Sequence, residues 1–150
     1  YYPEVQIDDY HIDAMTAHMV RRLKDFDVII TTNLFGDIIS DLAGELTGSL
    51  GLGPAINTND HQCMAQAAHG SAPDIAGRNI ANPVGIMLSA VMMFEWLADR
   101  YEDEKLQKVA DLMQDGVLKT MEEGYVTPDL GGTASTSSFA EAIAEKIKNA

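Results

Sequence analysis

Two aspartates one helical turn apart, Asp37 and Asp41, are the first residues in this chain whose type and spacing could do chemistry. Carboxylates four residues apart on a helix project from one face and repel by a few tenths of a kcal/mol, roughly. A hard divalent cation reverses that cost, because Mg²⁺ and Mn²⁺ favour carboxylate oxygens. A solvated acidic stripe fits the same spacing, since Glu45 continues it. The second cluster is His69-Gly70-Ser71-Ala72-Pro73-Asp74-Ile75-Ala76-Gly77. It has no hydrophobic period and reads as a loop. Such a loop can present backbone N–H groups and an imidazole to a ligand, or serve only its own local hydrogen bonds.

Elements must hold these groups in place. Phe26-Asp27-Val28-Ile29-Ile30-Thr31 reads as a buried strand, followed by a tight turn at Gly36. A helix is predicted from about Asp37 to Leu46, with Ile38, Ile39, Leu42 and Leu46 on its apolar face. Before it, Val5 to Ile7 reads as a short strand. Asp13 opens a helix with Met15, Met19 and Leu23 on one face. Gly48 to Pro54 is glycine-rich and reads as a crossing between layers, since it does not match G-x-G-x-x-G. Met64 to Ala68 reads as strand. Pro83 suits the start of a helix running from Val84 to about Arg100, with Asn82 as its cap. That helix is apolar almost all round, as in a buried element or an interface. A further helix spans about Glu102 to Glu122 and is stopped by Gly124. Ser138 and Glu141 form a capping-box pattern before the stripe Phe139, Ile143, Ile147.

The chain's 150 residues suffice for one sizeable core, and its formal charge is −13. That charge argues against nucleic acid and anionic membrane surfaces, and suits cation binding or plain solubility. No run reaches the roughly 18 apolar residues of a membrane span. Cys63 is the only cysteine, so no internal disulfide forms; a half-buried structural thiol in a reducing compartment is expected. The opening at Tyr1-Tyr2-Pro3, with no initiator Met, suggests that the natural protein continues upstream.

Three motifs in order carry a resemblance. Asn33-Leu34-Phe35-Gly36-Asp37-Ile38-Ile39-Ser40-Asp41, the His69–Gly77 loop, and Ala81-Asn82-Pro83 with Leu88-Ser89-Ala90-Val91-Met92-Met93 resemble the isocitrate/isopropylmalate dehydrogenase family, the β-decarboxylating dehydrogenases. The likeness covers essentially the whole chain, but only the carboxyl-terminal portion of a family member. It implies an α/β fold with a mixed sheet flanked by helices, seen as an incomplete segment. Residues 1–47 would belong to the small dimerisation and metal domain, and residues 48–150 to the large cofactor domain.

The resemblance makes Asp37 and Asp41 metal ligands for Mg²⁺ or Mn²⁺. Asp13, in Ile12-Asp13-Ala14, becomes the third ligand, reaching the site of the other subunit in a homodimer. Facing helices from Asp13 and Asp37 would pair with their copies through Met15-Met19-Leu23 and Ile38-Leu42-Leu46. His69, Gly70, Ser71, Ala72, Asp74, Ile75 and Asn82 become the cofactor loop, with Asp129 beside the adenosine half. A carboxylate at Asp74 can accept from both ribose hydroxyls and would repel a 2′-phosphate, which selects NAD. NADP-using relatives tend to carry Lys-Tyr at positions 74 and 75, and Tyr and Arg where Pro128 and Gly132 stand.

The chemistry implied is oxidation of a 2-hydroxy acid such as isocitrate or 3-isopropylmalate to a β-keto acid, then metal-assisted loss of CO₂. The family's proton-handling Tyr and Lys, and its substrate arginines, fall upstream of Tyr1. The catalytic residues proper are therefore unknown, and Tyr1, Tyr2 and Tyr10 are not in matching positions. Homoisocitrate and tartrate remain open as substrates. So does a non-catalytic regulatory subunit or a metal- and nucleotide-binding module. A cytoplasmic location is expected, or the mitochondrial matrix in a eukaryote. One departure is Gln66, where many members have Glu.

Overall fold

The computed structural model describes residues 2–149; Tyr1 and Ala150 lie outside the described residues. Five helices and one hairpin follow in order: α1 Ile12–Arg22, α2 Asn33–Leu46, β1 Pro54–Thr58, β2 Cys63–Ala67, α3 Val84–Tyr101, α4 Glu104–Glu122 and α5 Thr136–Lys148. Two compact units divide at Leu46 and Thr47. No helix among the described residues is long and apolar enough to cross a membrane.

The first unit is built on α1 and α2. Met15 and Met19 of α1 and Ile39 of α2 are buried together, with Leu23, Phe26 and Leu42 packed around them. The periodicity of Met15, Met19 and Leu23 is therefore spent inside the unit, on α2. Part of the face expected to join a four-helix bundle with a second copy thus packs on α2 within one chain. The apolar residues left outside are others: Val20, Leu34, Ile38 and Leu46 are exposed. Asp13 lies in the first turn of α1 and Arg21 and Arg22 in its last, each at the end its charge favours.

Two expected strands do not form. Val5 to Ile7 joins no ladder, its Val5 N–H donating instead to Tyr2 C=O at 3.2 Å, and Phe26 to Thr31 is extended or bent chain outside any ladder. Val28 is 80% and Ile30 93% exposed, the reverse of a buried strand. A β-branched run favours the pleated backbone, but a strand exists only where a neighbour supplies its hydrogen bonds. The tight turn at Gly36 is also absent. The helix begins at Asn33, and Gly36 N–H already donates to Thr32 C=O at 2.8 Å.

The second unit holds the hairpin and α3, α4 and α5. β1 and β2 pair antiparallel, Pro54 opposite Ala67 and Thr58 opposite Cys63, so the expected strand near Met64 forms. Cys63 is half-buried and free. Ser89 of α3, fully buried, ties the helix to the hairpin. Its hydroxyl accepts from Ala55 N–H at 3.1 Å and lies 2.7 Å from the Gln66 carbonyl oxygen. Gly85 permits this approach, since a Cβ there would sit 3.0 Å from the Gly51 and Gly53 carbonyl oxygens. Val84, Val117, Phe139 and Ile143 form the core between α3, α4 and α5. Burying Phe139 alone contributes about 1.5–3 kcal/mol. α3 is not buried all round: Ile86 is 49% exposed.

Caps show how local sequence was used. Asp103 caps α4 through Lys105 N–H at 2.9 Å, so the helix begins at Glu104, two residues after the expected start at Glu102. α5 starts at Thr136, so its capping box is Ser135 with Ser138, in place of Ser138 with Glu141.

Candidate functional site

The first unit places the candidate metal carboxylates. Asp37 and Asp41 lie on α2 one turn apart, and both are exposed. The neighbouring hydroxyl of Ser40 donates to the Asp37 carbonyl at 3.2 Å, and so leaves the carboxylate alone. Asp13 is exposed in the first turn of α1, and Thr16 donates to its carbonyl at 2.8 Å. Among the described residues no three His, Cys, Asp or Glu side chains gather into a metal-holding group, so one chain does not bring Asp13, Asp37 and Asp41 together. Two all-oxygen carboxylate donors on one helical face suit a hard divalent cation in type. They fall short of a complete set by themselves.

The second unit carries the loop His69 to Asn82, which leaves β2 and enters α3. His69 is exposed, with Nδ1 2.9 Å from the Gly70 carbonyl oxygen. A carbonyl only accepts, so Nδ1 carries the proton there and Nε2 is left as the second ring position. Ala72 takes a left-handed conformation, φ 40° and ψ 63°, which costs a non-glycine residue of order 1 kcal/mol. It turns the chain into a 3₁₀ turn over Pro73–Ile75, closed by Ile75 N–H to Ala72 C=O at 3.1 Å. Ser71 and Asp74 are exposed and Ile75 is half-buried. The exposed Asp74 carboxylate is thus carried on a turn fixed by backbone bonds.

Asn82 and Asp129 are drawn together, although they are distant in sequence. Asn82 Nδ2 donates to Asp129 Oδ2 at 2.9 Å, and Asn82 Oδ1 accepts from Val84 N–H at 3.0 Å. The N-cap of α3 is Pro83, one residue later than the expected Asn82, and Asn82 instead holds the first helical N–H from just outside the helix. Asp129 sits in a 3₁₀ turn, Pro128–Leu130. Its Oδ2 also accepts from Ser49 Oγ at 2.5 Å, and its Oδ1 accepts from Thr127 Oγ1 at 2.6 Å. Partial burial pushes the carboxyl's pKa up, but the bonds from Ser49, Thr127 and Asn82 outweigh it and hold the group below the usual carboxylate range.

Sequence reasoning did not single out Ser49, Thr127 or Asn79. Ser49 and Thr127 are buried hydroxyls on either side of Asp129. Asn79 anchors the loop to α5: its backbone C=O accepts from Thr136 N–H at 2.9 Å and its Oδ1 from Ser137 N–H at 3.1 Å. One signal was available. Asp129 follows Thr-Pro, a turn sequence that sets the Thr127 hydroxyl two residues before the carboxylate it bonds. Nothing local pointed to Ser49.

A helix-rich segment with an exposed carboxylate pair and a Gly/Pro loop between β2 and α3 fits one family. The family model for isocitrate/isopropylmalate dehydrogenase matches residues 1–143. The isocitrate/homoisocitrate dehydrogenase of Thermus thermophilus is 45% identical over 148 residues, 99% of this chain and 42% of that protein. The 3-isopropylmalate dehydrogenase of Archaeoglobus fulgidus is 46% identical over 146 residues, 97% of this chain and 43% of that protein. Among solved structures, an isocitrate dehydrogenase from Methylococcus capsulatus superposes with a TM-score of 0.89 at 40% identity, covering 98% of this chain and 42% of that one. This chain belongs to the isocitrate/isopropylmalate dehydrogenase family. It has that family's fold as an incomplete segment and spans about two fifths of the length of the relatives it matches.

Proposed function

We propose that the natural polypeptide containing this chain is an NAD-dependent, metal-requiring dehydrogenase that oxidatively decarboxylates a 2-hydroxy acid such as isocitrate or 3-isopropylmalate. The observation that carries this reading is the exposed Asp37–Asp41 pair on α2, within a chain whose family match runs almost end to end. Asp37 and Asp41 would hold Mg²⁺ or Mn²⁺, and Asp13 of a second copy would complete the set. A bound divalent cation supplies Lewis-acid stabilisation of the oxygen charge that develops on the substrate. His69, Gly70, Ser71, Ala72, Asp74, Ile75, Asn82 and Asp129 would hold NAD, with the Asp74 carboxylate accepting from the ribose hydroxyls. Residues 1–47 would serve dimerisation and metal binding, and residues 48–150 the cofactor.

A homodimer fits two features. The metal set needs a third carboxylate that one chain does not bring, and Leu34, Ile38 and Leu46 remain exposed on α2. By itself the 150-residue chain should turn over no substrate, because general acid–base groups supply roughly 10² to 10⁴ in rate and none is assigned here. Its exposed apolar residues should also make it prone to association.

The experiment is an assay of the natural polypeptide for NADH formation with isocitrate, 3-isopropylmalate, homoisocitrate and tartrate, with Mn²⁺ and then with a chelator. Turnover of one substrate that the chelator abolishes is expected. No NAD reduction with any of the four, from a folded protein, would sink the proposal.

A further inference from the structure

The glycine-rich segment before β1 holds one side chain that the reading above leaves without a task. Ser49 is 8% exposed. Its Oγ accepts from Gly51 N–H at 3.0 Å and donates to Asp129 Oδ2 at 2.5 Å. That same oxygen receives Asn82 Nδ2, and Asn82 receives the N–H of Val84 at the head of α3. Three segments far apart in sequence thus meet on one carboxylate. The backbone is pressed close as well: a Cβ at Gly51 would lie 2.7 Å from the Asn82 Cβ.

The hydrogen-bond inventory gives this arrangement a consequence. A carboxylate offers about four acceptor positions. Ser49, Asn82 and Thr127 use three of Asp129's. The Asn82 amide has one N–H to Asp129 and its oxygen on Val84, which leaves one N–H. These bonds, with one from Asp129's own backbone, fix the direction in which the carboxylate and the Asn82 amide face. Ser49 is the member that couples the glycine-rich segment to both.

We infer that Ser49 is a positioning residue for the cofactor: it fixes Asp129 against Asn82 and so sets the direction in which both can meet the adenosine half of NAD. The inference rests on the assignment of Asn82 and Asp129 to the cofactor in the proposed function. Removing the hydroxyl leaves Gly51 N–H without its acceptor and lets the Asp129 carboxylate turn.

The test uses the natural polypeptide with Ser49→Ala, Ser49→Thr and, for comparison, Thr120→Ala. Thr120 is a fully buried hydroxyl on α4 that donates to the Gly116 carbonyl at 2.7 Å, away from Asp129. Ser49→Ala should raise the Kd for NAD in calorimetric titration, and with it KM for NAD, by about five- to tenfold, as loss of a charge-assisted bond does, with kcat and the hydroxy-acid KM within about twofold. Ser49→Thr keeps the hydroxyl and should return KM for NAD toward the parent value. Thr120→Ala should lower the thermal midpoint without moving KM for NAD. An unchanged KM in Ser49→Ala, or an equal rise in Thr120→Ala, overturns the positioning role. A folded parent that neither binds nor reduces NAD overturns the cofactor assignment, and this inference with it. The parent alone reports that failure, before any variant is compared.

Discussion

Asn82 and Asp129 lie 47 residues apart and are joined by a 2.9 Å hydrogen bond that ties the head of α3 to the turn before α5. Both residues stand out in the sequence, Asn82 as a helix cap and Asp129 as a turn carboxylate. That they hold each other is a property of the tertiary structure. The bond also fixes each side chain's position by the other's.

Asp129 gives a pH prediction with a definite sign. Its folded pKa is lowered, so the ionised form is favoured in the native state. The stabilisation is complete above the unfolded value of about 3.9 and is lost as pH falls through the lower folded value. Asp129→Asn should be less stable than the parent near neutrality, with a shallower loss of stability in the acid range. Urea unfolding between about pH 3 and pH 6 measures it, and parallel pH profiles for parent and variant would count against the account.

Gly132 tolerates no side chain. An added Cβ would overlap the Val126 carbonyl, which already accepts from Ala134 N–H at 3.1 Å, while Gly132 N–H donates to Thr127 C=O at 3.1 Å. Gly132→Ala should cost about 1–3 kcal/mol, the usual penalty of overpacking. Gly70→Ala, where a Cβ meets nothing within 4 Å, should be close to neutral for stability. Denaturant midpoints compare the two, and equal midpoints would refute the steric reading. The same overlap bars an Arg at position 132 from this backbone.

Asp41→Asn tests the metal site. Asp37 and Asp41 are exposed and one turn apart, so the amide should keep the helix and lose one anionic ligand. Mn²⁺ affinity of the natural polypeptide should fall by at least about tenfold, ~1.4 kcal/mol, with the fold unchanged by circular dichroism. Calorimetric titration returning the parent affinity would remove Asp41 from the ligand set.

Cofactor preference should follow charge at the Pro73–Ile75 turn. Asp74 is exposed there and Ile75 is half-buried, so both positions can change without touching the core residues. Asp74→Lys with Ile75→Tyr should shift the NAD to NADP ratio of kcat/KM by about tenfold or more toward NADP. A parent enzyme that already prefers NADP would contradict the ribose argument.

The sequence by itself determined the helices and the residues worth testing. Met15 and Met19, Phe139 and Ile143 recur at helical spacing, and a helix closes its own hydrogen bonds, so their burial followed from local order. The three motifs by themselves also carry the family resemblance. What depended on neighbours was not legible. Phe26 to Thr31 has strand composition, but a strand borrows its ladder hydrogen bonds from a neighbour, and no strand among the described residues pairs with that run. Ser138 and Glu141 matched a capping box, yet α5 begins earlier, where Thr136 N–H meets the Asn79 carbonyl. Ser49 gave no local signal, because its partner carboxylate lies 80 residues away and only the packing of Gly51 onto Asn82 brings them together.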